Sequence, residues 1–384
     1  MKKFKFTTVS TIINEPGGVS NIGEIISPLG YKNVLVIADK GIVNAGLFDK
    51  LIKGLNDSNI VNVAFTDIGP DPKEEMVSAS VSVAKENNVD CIIGIGGGSV
   101  MDVAKVTAVI AKNGCTLADI YGIEQVRGGR LPLLLIPTTA GTGSEVTSSS
   151  VISHASGKKN VVIDPTLLPD IALLDVEMLS SMPKQIVSTT GVDAIVHAIE
   201  AYTSSTKKNP ISDMLACEAL RYLLGNIEAS FQVSAAEESR SKMLLGSTLA
   251  GQAFANSSVA AVHAFAYALA ETFHLPHGLS NSLVLIHILR FNIGKEVTLY
   301  SDLSRNLFPE VIGKSDREAA EYLISRLENI IESIELNKGL REFDIRAEDL
   351  EKLAELTLKQ ERLLNNNPCK IEYRDALQIF KNAF

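Results

Sequence analysis

Tryptophan is absent from this 384-residue chain, and aromatic residues make up only 5% of it. Platforms for stacking single-stranded nucleic acid are built from aromatics, so that class of function is disfavoured. A basic surplus is missing as well: 36 Lys and Arg stand against 45 Asp and Glu, a net charge of −9. Without cations to neutralise phosphates, no nucleic-acid partner is expected. Cysteine is scarce. Cys91, Cys115, Cys217 and Cys369 form no CxxC and follow no regular spacing, which excludes a disulfide framework and reads as thiols of a reducing compartment. The basic start is followed by polar residues and Pro16-Gly17-Gly18, so no signal peptide is expected. The richest apolar run, 259–270, is short and carries His263; no segment reaches bilayer-spanning length. These absences lead us to expect a cytoplasmic protein with no membrane partner.

What is present is core material. Hydrophobic residues reach 46% and charged residues 21%, a globular composition sized for roughly two to three domains. The first half alternates between apolar runs (34–38, 61–65, 90–95, 131–136) and helix-like stretches (49–56, 76–87, 100–112). That rhythm implies βαβ units and a mostly parallel sheet. Short strands are expected at 146–150 and 161–163, around a polar loop. Beyond Met182-Pro183 the apolar spacing is helical almost to the end, at 186–202, 211–224, 241–255, 258–273, 318–334 and 375–384. Pro210, Gly225 and Pro276-His277-Gly278 are read as breaks. A boundary near 183 therefore separates an α/β domain, 1–183, from an all-helical one, 184–384.

The turn Gly94-Ile95-Gly96-Gly97-Gly98-Ser99 lies between a strand and a helix. Glycines let backbone N–H groups approach an anion, and a helix N-terminus favours negative charge. Ser99 is read as the helix cap, with Asp102 completing a capping box. The turn suits a pyrophosphate, or is simply a tight, well-capped connection. Asp39 ends an earlier strand, where its carboxylate accepts a ribose hydroxyl and repels a 2′-phosphate, or caps a helix. The loop 137–145, Pro-Thr-Thr-Ala-Gly-Thr-Gly-Ser-Glu, offers small hydroxyls beside glycine, again for phosphate or ribose, or as an ordinary loop. Two such loops at strand C-termini favour a nucleotide crevice.

Six histidines occur: His154, His197, His263, His274, His277 and His287. Asp193 and His197 stand four apart on a helix, so both reach one ion. His263 interrupts an apolar helix, where an unpartnered imidazole is costly. With His277 they supply one carboxylate and three imidazoles, a set suited to Fe²⁺ or Zn²⁺. His274 competes with His277 for the last place.

Taken together, these residues resemble the iron-containing, or group III, alcohol dehydrogenase family over essentially the whole chain. The resemblance runs through Gly96-Gly97-Gly98-Ser99 with Asp102, Ala104 and Lys105, then the loop 137–145 and Asp164-Pro165. It continues through Gly191-Val192-Asp193-Ala194 with His197-Ala198-Ile199-Glu200, His263-Ala264 and Pro276-His277-Gly278. It implies a dehydroquinate synthase-like fold: a Rossmann-like NAD-binding domain, 1–183, then a helical metal-binding and substrate domain, 184–384. By position it makes Asp193, His197, His263 and His277 metal ligands for Fe²⁺, with Zn²⁺ as the alternative. It sets Gly97, Gly98, Ser99 and Asp102 at the pyrophosphate turn, and Thr138, Thr139, Thr142 and Lys159 along the cofactor. Asp39 becomes the ribose acid, implying NAD over NADP. A homodimer or larger homo-oligomer is implied too.

Two positions depart from the family. Tyr267 stands where many relatives carry a second histidine as a proton relay, and a phenol near pKa 10 relays protons less readily at neutral pH. Cys369 follows Asn367-Pro368, where Arg is common. The expected activity is reversible hydride transfer between a small neutral alcohol or diol and NAD. Rivals are a dehydroquinate synthase-like lyase, a glycerol dehydrogenase-like polyol oxidoreductase, and a non-catalytic nucleotide-binding subunit. The lyase needs basic residues for an anionic substrate, yet no Lys or Arg lies between Met243 and Leu289.

Overall fold

The computed structural model describes residues 3–154, 159–232, 234 and 236–384. Two compact units emerge: residues 7–182, and residues 183–384 together with the N-terminal segment before Thr7. Met1, Lys2 and the middle of the polar loop, 155–158, lie outside the described residues.

The first unit carries strands β1 (Thr11–Asn14), β2 (Asn33–Asp39), β3 (Val61–Ile68), β4 (Cys91–Gly96), β5 (Gly122–Ile123), β6 (Leu133–Pro137), β7 (Ser149–Ser153), β8 (Lys159–Ile163) and β9 (Ile171–Leu174). Its helices are α1 (Ile22–Ile26), α2 (Lys40–Asn44), α3 (Leu47–Asp57), α4 (Glu74–Glu86), α5 (Gly98–Asn113) and α6 (Leu117–Ile120). Six strands form a parallel sheet in the order β1-β9-β6-β4-β2-β3, and β5-β8-β7 form a second, small sheet. Buried on both faces, β2, β4 and β6 are near-continuous apolar runs, as central parallel strands must be. Their register sets Ile37 opposite Gly94 and Gly94 opposite Leu135. The three C-terminal ends, Asp39, Gly96 and Pro137, thus come out on one edge.

The second unit is helical: α7 (Lys184–Thr203), α8 (Pro210–Phe231), α9 (Glu237–Ser257), α10 (Ala261–Phe273), α11 (His277–Lys295), α12 (Val297–Leu307), α13 (Asp316–Ser333), α14 (Asp349–Leu358), α15 (Glu361–Leu364) and α16 (Tyr373–Ala383). From Gly191 onward every α7 residue is buried, the mark of a helix in the middle of a core. Asn209 caps α8 by accepting from the Ser212 N–H, with Pro210 at the first position; this is where proline costs a helix nothing. Gly225 does not break the pattern as expected. It sits inside α8, because later apolar residues such as Ile227 and Phe231 stay buried and tertiary packing outweighs the glycine penalty of about 1 kcal/mol.

The expected helix over 258–273 begins three residues late, at a corner. Ser258 holds φ 83° and ψ 160°, a region reserved almost entirely for glycine. Its N–H donates to Phe254 at 2.6 Å, and its hydroxyl accepts from Asn366 Nδ2 at 2.9 Å. Asn366 also donates to Val259 O at 3.1 Å, and Ser204 to Ser257 O at 2.6 Å. Across this corner α9 and α10 bend by 101°, and no single helix among the described residues is long and apolar enough to cross a membrane.

Candidate metal centre and glycine-turn cavity

Three helices supply the metal centre. Asp193 and His197 project from α7, His263 from α10 and His277 from the first position of α11. From Asp193 Oδ1, His277 Nε2 lies at 3.5 Å, His263 Nε2 at 3.8 Å and His197 Nε2 at 3.9 Å. Atoms about 2.1 Å from a shared ion in a tetrahedral array stand roughly 3.4 Å apart, so this spacing is what a divalent cation needs. Asp193, His263 and His277 form the tighter group, with donor atoms within 4.8 Å of one another. His197 completes the ring from beside His263, their rings stacked at 4.8 Å, and its outer face rests on Phe254 at 4.3 Å. His274 is not drawn in. It ends α10 in the left-handed conformation, φ 55°.

His263 Nε2 is buried and has no hydrogen-bond partner. An orphaned nitrogen in such a place is unfavourable unless something takes its lone pair. Its other nitrogen, Nδ1, lies 2.7 Å from Glu200 Oε2, which directs Nε2 toward Asp193. Glu200 stands seven residues after Asp193 on the same face of α7. It also accepts from the N–H groups of Ala260 at 2.8 Å and Val262 at 2.6 Å, at the start of α10, where an anion is favoured. Burial alone would lower the His263 pKa, but Glu200 outweighs it and the value is raised. Burial likewise works against the Asp193 carboxylate, yet His197, His277, His263 and the Asn281 amide together hold it below the ordinary range.

Asn281, one turn after His277 on α11, donates to Asp193 Oδ1 at 2.6 Å. Gly278 lets this helix start close to α7, since a Cβ there would collide with the Thr189 carbonyl. Three ligands are almost wholly buried, whereas the His277 side chain keeps 32% of its exposure, leaving the centre open on that side. Tyr267 borders this opening, its ring 5.7 Å from that of His277. Glu200 and Asn281 escaped the sequence reading as site residues. The available signal was helical spacing from a proposed ligand: i+7 from Asp193 and i+4 from His277.

In the first unit, Asp39, Gly97, Gly98 and Ser99 line one cavity of about 570 Å³, with Lys40, Asp67 and Met76. The expected capping box is not formed. α5 starts at Gly98 with Gly97 as its cap and no side chain bonded to that terminus. Ser99 lies within the first turn, and Asp102 turns the other way, accepting from Ser144 Oγ at 2.8 Å and the Val151 N–H at 2.9 Å. Leaving a helix N-terminus without a side-chain cap keeps it ready for an anion. Asp39, one of the residues lining the cavity, does cap α2 through the Ile42 N–H at 3.0 Å.

Thr139 and Thr142 pack against the turn. A Cβ on Gly98 would approach Thr142 Cγ2 to 2.9 Å, and one on Gly97 would lie 3.7 Å from Thr139. The Thr138 N–H donates to Gly96 O at 3.1 Å. Lys159, on β8, pairs with Asp71 at 2.8 Å and does not line the cavity.

Comparison with known proteins shows the family. The model of the iron-containing alcohol dehydrogenases matches residues 10–176, and that of the C-terminal region of the Fe-containing alcohol dehydrogenase family matches 187–384. The long-chain-alcohol dehydrogenase 1 of Geobacillus thermodenitrificans is 34% identical over 371 residues, 96% of this chain and 93% of its own. The NAD-dependent methanol dehydrogenase of Bacillus methanolicus is 31% identical over 368 residues, 96% of each chain. A crystal structure of 1,3-propanediol oxidoreductase superposes with a TM-score of 0.95 at 30% identity, covering 100% of both chains. With both halves matched in order, the chain belongs to the iron-containing alcohol dehydrogenase family.

Proposed function

We propose that this protein is a metal-dependent alcohol dehydrogenase that transfers a hydride between a small neutral alcohol or diol and NAD, and runs in reverse on aldehydes or ketones. The observation that carries this reading is the convergence of Asp193, His197, His263 and His277 at 3.5–3.9 Å, with the His263 Nε2 orphaned toward it. These four residues would hold Fe²⁺, with Zn²⁺ suiting the same donors. When bound there, the cation supplies Lewis acidity toward an alcohol or carbonyl oxygen.

The chain's own groups do the rest. Glu200 keeps a proton on His263 Nδ1, so Nε2 stays free to ligate. Asn281 orients the Asp193 carboxylate. Phe254 and Tyr267 wall the centre with rings, and the absence of Lys and Arg from Met243 to Leu289 suits a neutral substrate. Tyr267, whose ring lies 5.7 Å from that of His277, would be the residue to pass the hydroxyl proton outward. Gly97, Gly98 and Ser99 would cradle the pyrophosphate, with Thr138, Thr139, Thr142 and Lys159 along the dinucleotide. Asp102 would act on that cradle through Ser144. Asp39 would take the ribose hydroxyls and disfavour a 2′-phosphate. The same reading places residues 1–183 and 184–384 as cofactor and metal domains of a cytoplasmic homodimer or larger homo-oligomer.

The test combines metal analysis of the purified protein with NADH formation across methanol, ethanol, propanol and propanediols. One Fe or Zn per chain and turnover with at least one of these supports the reading. A metal-loaded protein that neither reduces NAD with any alcohol nor oxidises NADH with the matching aldehydes would overturn it. A lyase would bind NAD without net reduction.

A further inference from the structure

Lys105 is wholly buried on α5, beneath the glycine turn. All three of its ammonium protons have acceptors: Ser144 Oγ at 2.8 Å, Thr147 Oγ1 at 2.9 Å and Ser149 O at 2.8 Å. Asp102, one turn earlier on the same face, takes the other side of the same segment, through Ser144 Oγ, the Val151 N–H and, from its own carbonyl, Ser150 Oγ at 3.0 Å. Ser144 is thus bonded by both charges at once. Its N–H lies 3.3 Å from Thr142 Oγ1, and Thr142 is the residue that packs on Gly98. A continuous polar chain therefore runs from two opposite charges, Lys105 and Asp102, bridged by Ser144 Oγ, to the threonine that touches the turn.

The arrangement is costly, which is why it calls for a purpose. Burial pushes the Lys105 pKa down to about 8, against the pull of Asp102 and Glu145. The Asp102 carboxyl is raised by burial, although Lys105 and two hydrogen bonds oppose this. An apolar pair of similar volume would fill the space at no such cost. What an apolar pair cannot do is hold a loop of hydroxyls and glycines, which has little side-chain surface to pack, at one height above the turn.

We propose that Lys105, together with Asp102, is a positioning residue of the cofactor cradle: it holds the loop 138–147 against the glycine turn and so sets affinity for the dinucleotide. This rests on the reading of that cradle as the NAD site. Lys105 itself touches no cofactor; it acts through Ser144 and Thr142.

The test uses the metal-loaded, full-length enzyme and NADH fluorescence titration, with metal content and melting temperature measured on the same samples. Lys105→Met should raise the NADH Kd roughly tenfold or more, since small misplacements in a binding site are costly, and should leave one metal per chain. Ser144→Ala removes one hydroxyl, keeps both charges and folds even where Lys105→Met does not; its Kd should rise roughly threefold. A merely structural role predicts lower melting temperatures with NADH affinity unchanged. Folded variants of both kinds that bind NADH like the wild type would overturn the proposal. If the wild type itself fails to bind NADH, it is the NAD reading that falls.

Discussion

The two units solve the problem of holding a charged guest in opposite ways. In residues 7–182 the candidate cofactor site is built from what side chains leave out: glycines at 97 and 98, an N-terminus with no side-chain cap, and a loop of small hydroxyls. In residues 183–384 the metal centre is built from side chains alone, drawn from three helices across 85 residues of sequence, with a carboxylate behind one imidazole and an amide behind another carboxylate. Backbone sites are local and tolerate little added bulk. Side-chain sites are dispersed and tolerate little loss. Substitutions that add atoms should therefore break the first, and substitutions that remove them the second.

The largest expected effect follows from removing a ligand. His263→Ala should lower metal affinity by roughly a thousandfold, beyond the 10- to 100-fold typical of outer partners, while NADH affinity holds. Metal analysis after dialysis reads this. A folded variant that keeps one metal per chain would show that His263 is a core histidine. Glu200→Gln keeps the volume but weakens the hold on His263, and a drop of about 10- to 100-fold in metal affinity is expected. A change confined to melting temperature would reduce Glu200 to a helix cap.

On the other side of the comparison, Gly98→Val adds a branched side chain where Thr142 already crowds. NADH affinity should fall roughly tenfold or more, because the backbone no longer approaches the anion closely, with metal content unchanged; equal NADH binding would make the glycines a turn and nothing more. Asp39→Gly is subtler. It removes a charge from the cavity lining, and because glycine is itself an acceptable N-cap, the stability cost should be only a few tenths of a kcal/mol. The ratio of NADP to NAD efficiency should rise severalfold, and a wild type indifferent between the two cofactors would refute the role given to this carboxylate. Ser258→Gly is the smallest. Releasing a strained backbone is worth about 1–3 kcal/mol, but the Asn366 hydrogen bond, worth about 1 kcal/mol, goes with it. A small rise in melting temperature is the expected balance; a fall would show that the Asn366 contact dominates.

Legibility in the sequence followed the same division. The central strands β2, β4 and β6 were plain as unbroken apolar runs, because parallel strands buried on both faces have no polar side to show. β1 and β9 were not recognised. Each has four residues, and Thr11–Asn14 is exposed enough to pass for a loop. Six helices of the second unit were plain from spacing, but α11, α12 and α14 were not singled out, nor was the corner at Ser258, since an apolar run gives no sign that its first three residues turn through a strained conformation. Asp193, His197 and His263 stood out as polar residues in apolar helices, and His277 as a histidine at a Pro-Gly break. Glu200, Asn281 and Lys105 did not. A buried polar side chain looks like any surface one until its partner, 39 to 88 residues away, is known. Ser99 was misread as a cap because a serine followed three residues later by an acid is the usual signature; here the acid had a stronger claim from Ser144 and Val151.

Glu200 joins two things normally measured apart. The carboxylate that steadies His263 also receives the N–H groups of Ala260 and Val262. Any event that moves this side chain must loosen those two bonds and the His263 contact at the same moment. The exchange of these two backbone protons with solvent deuterium is consequently a gauge of how firmly the carboxylate is held. It would report on the support behind His263 residue by residue, in the absence of any alcohol, aldehyde or dinucleotide.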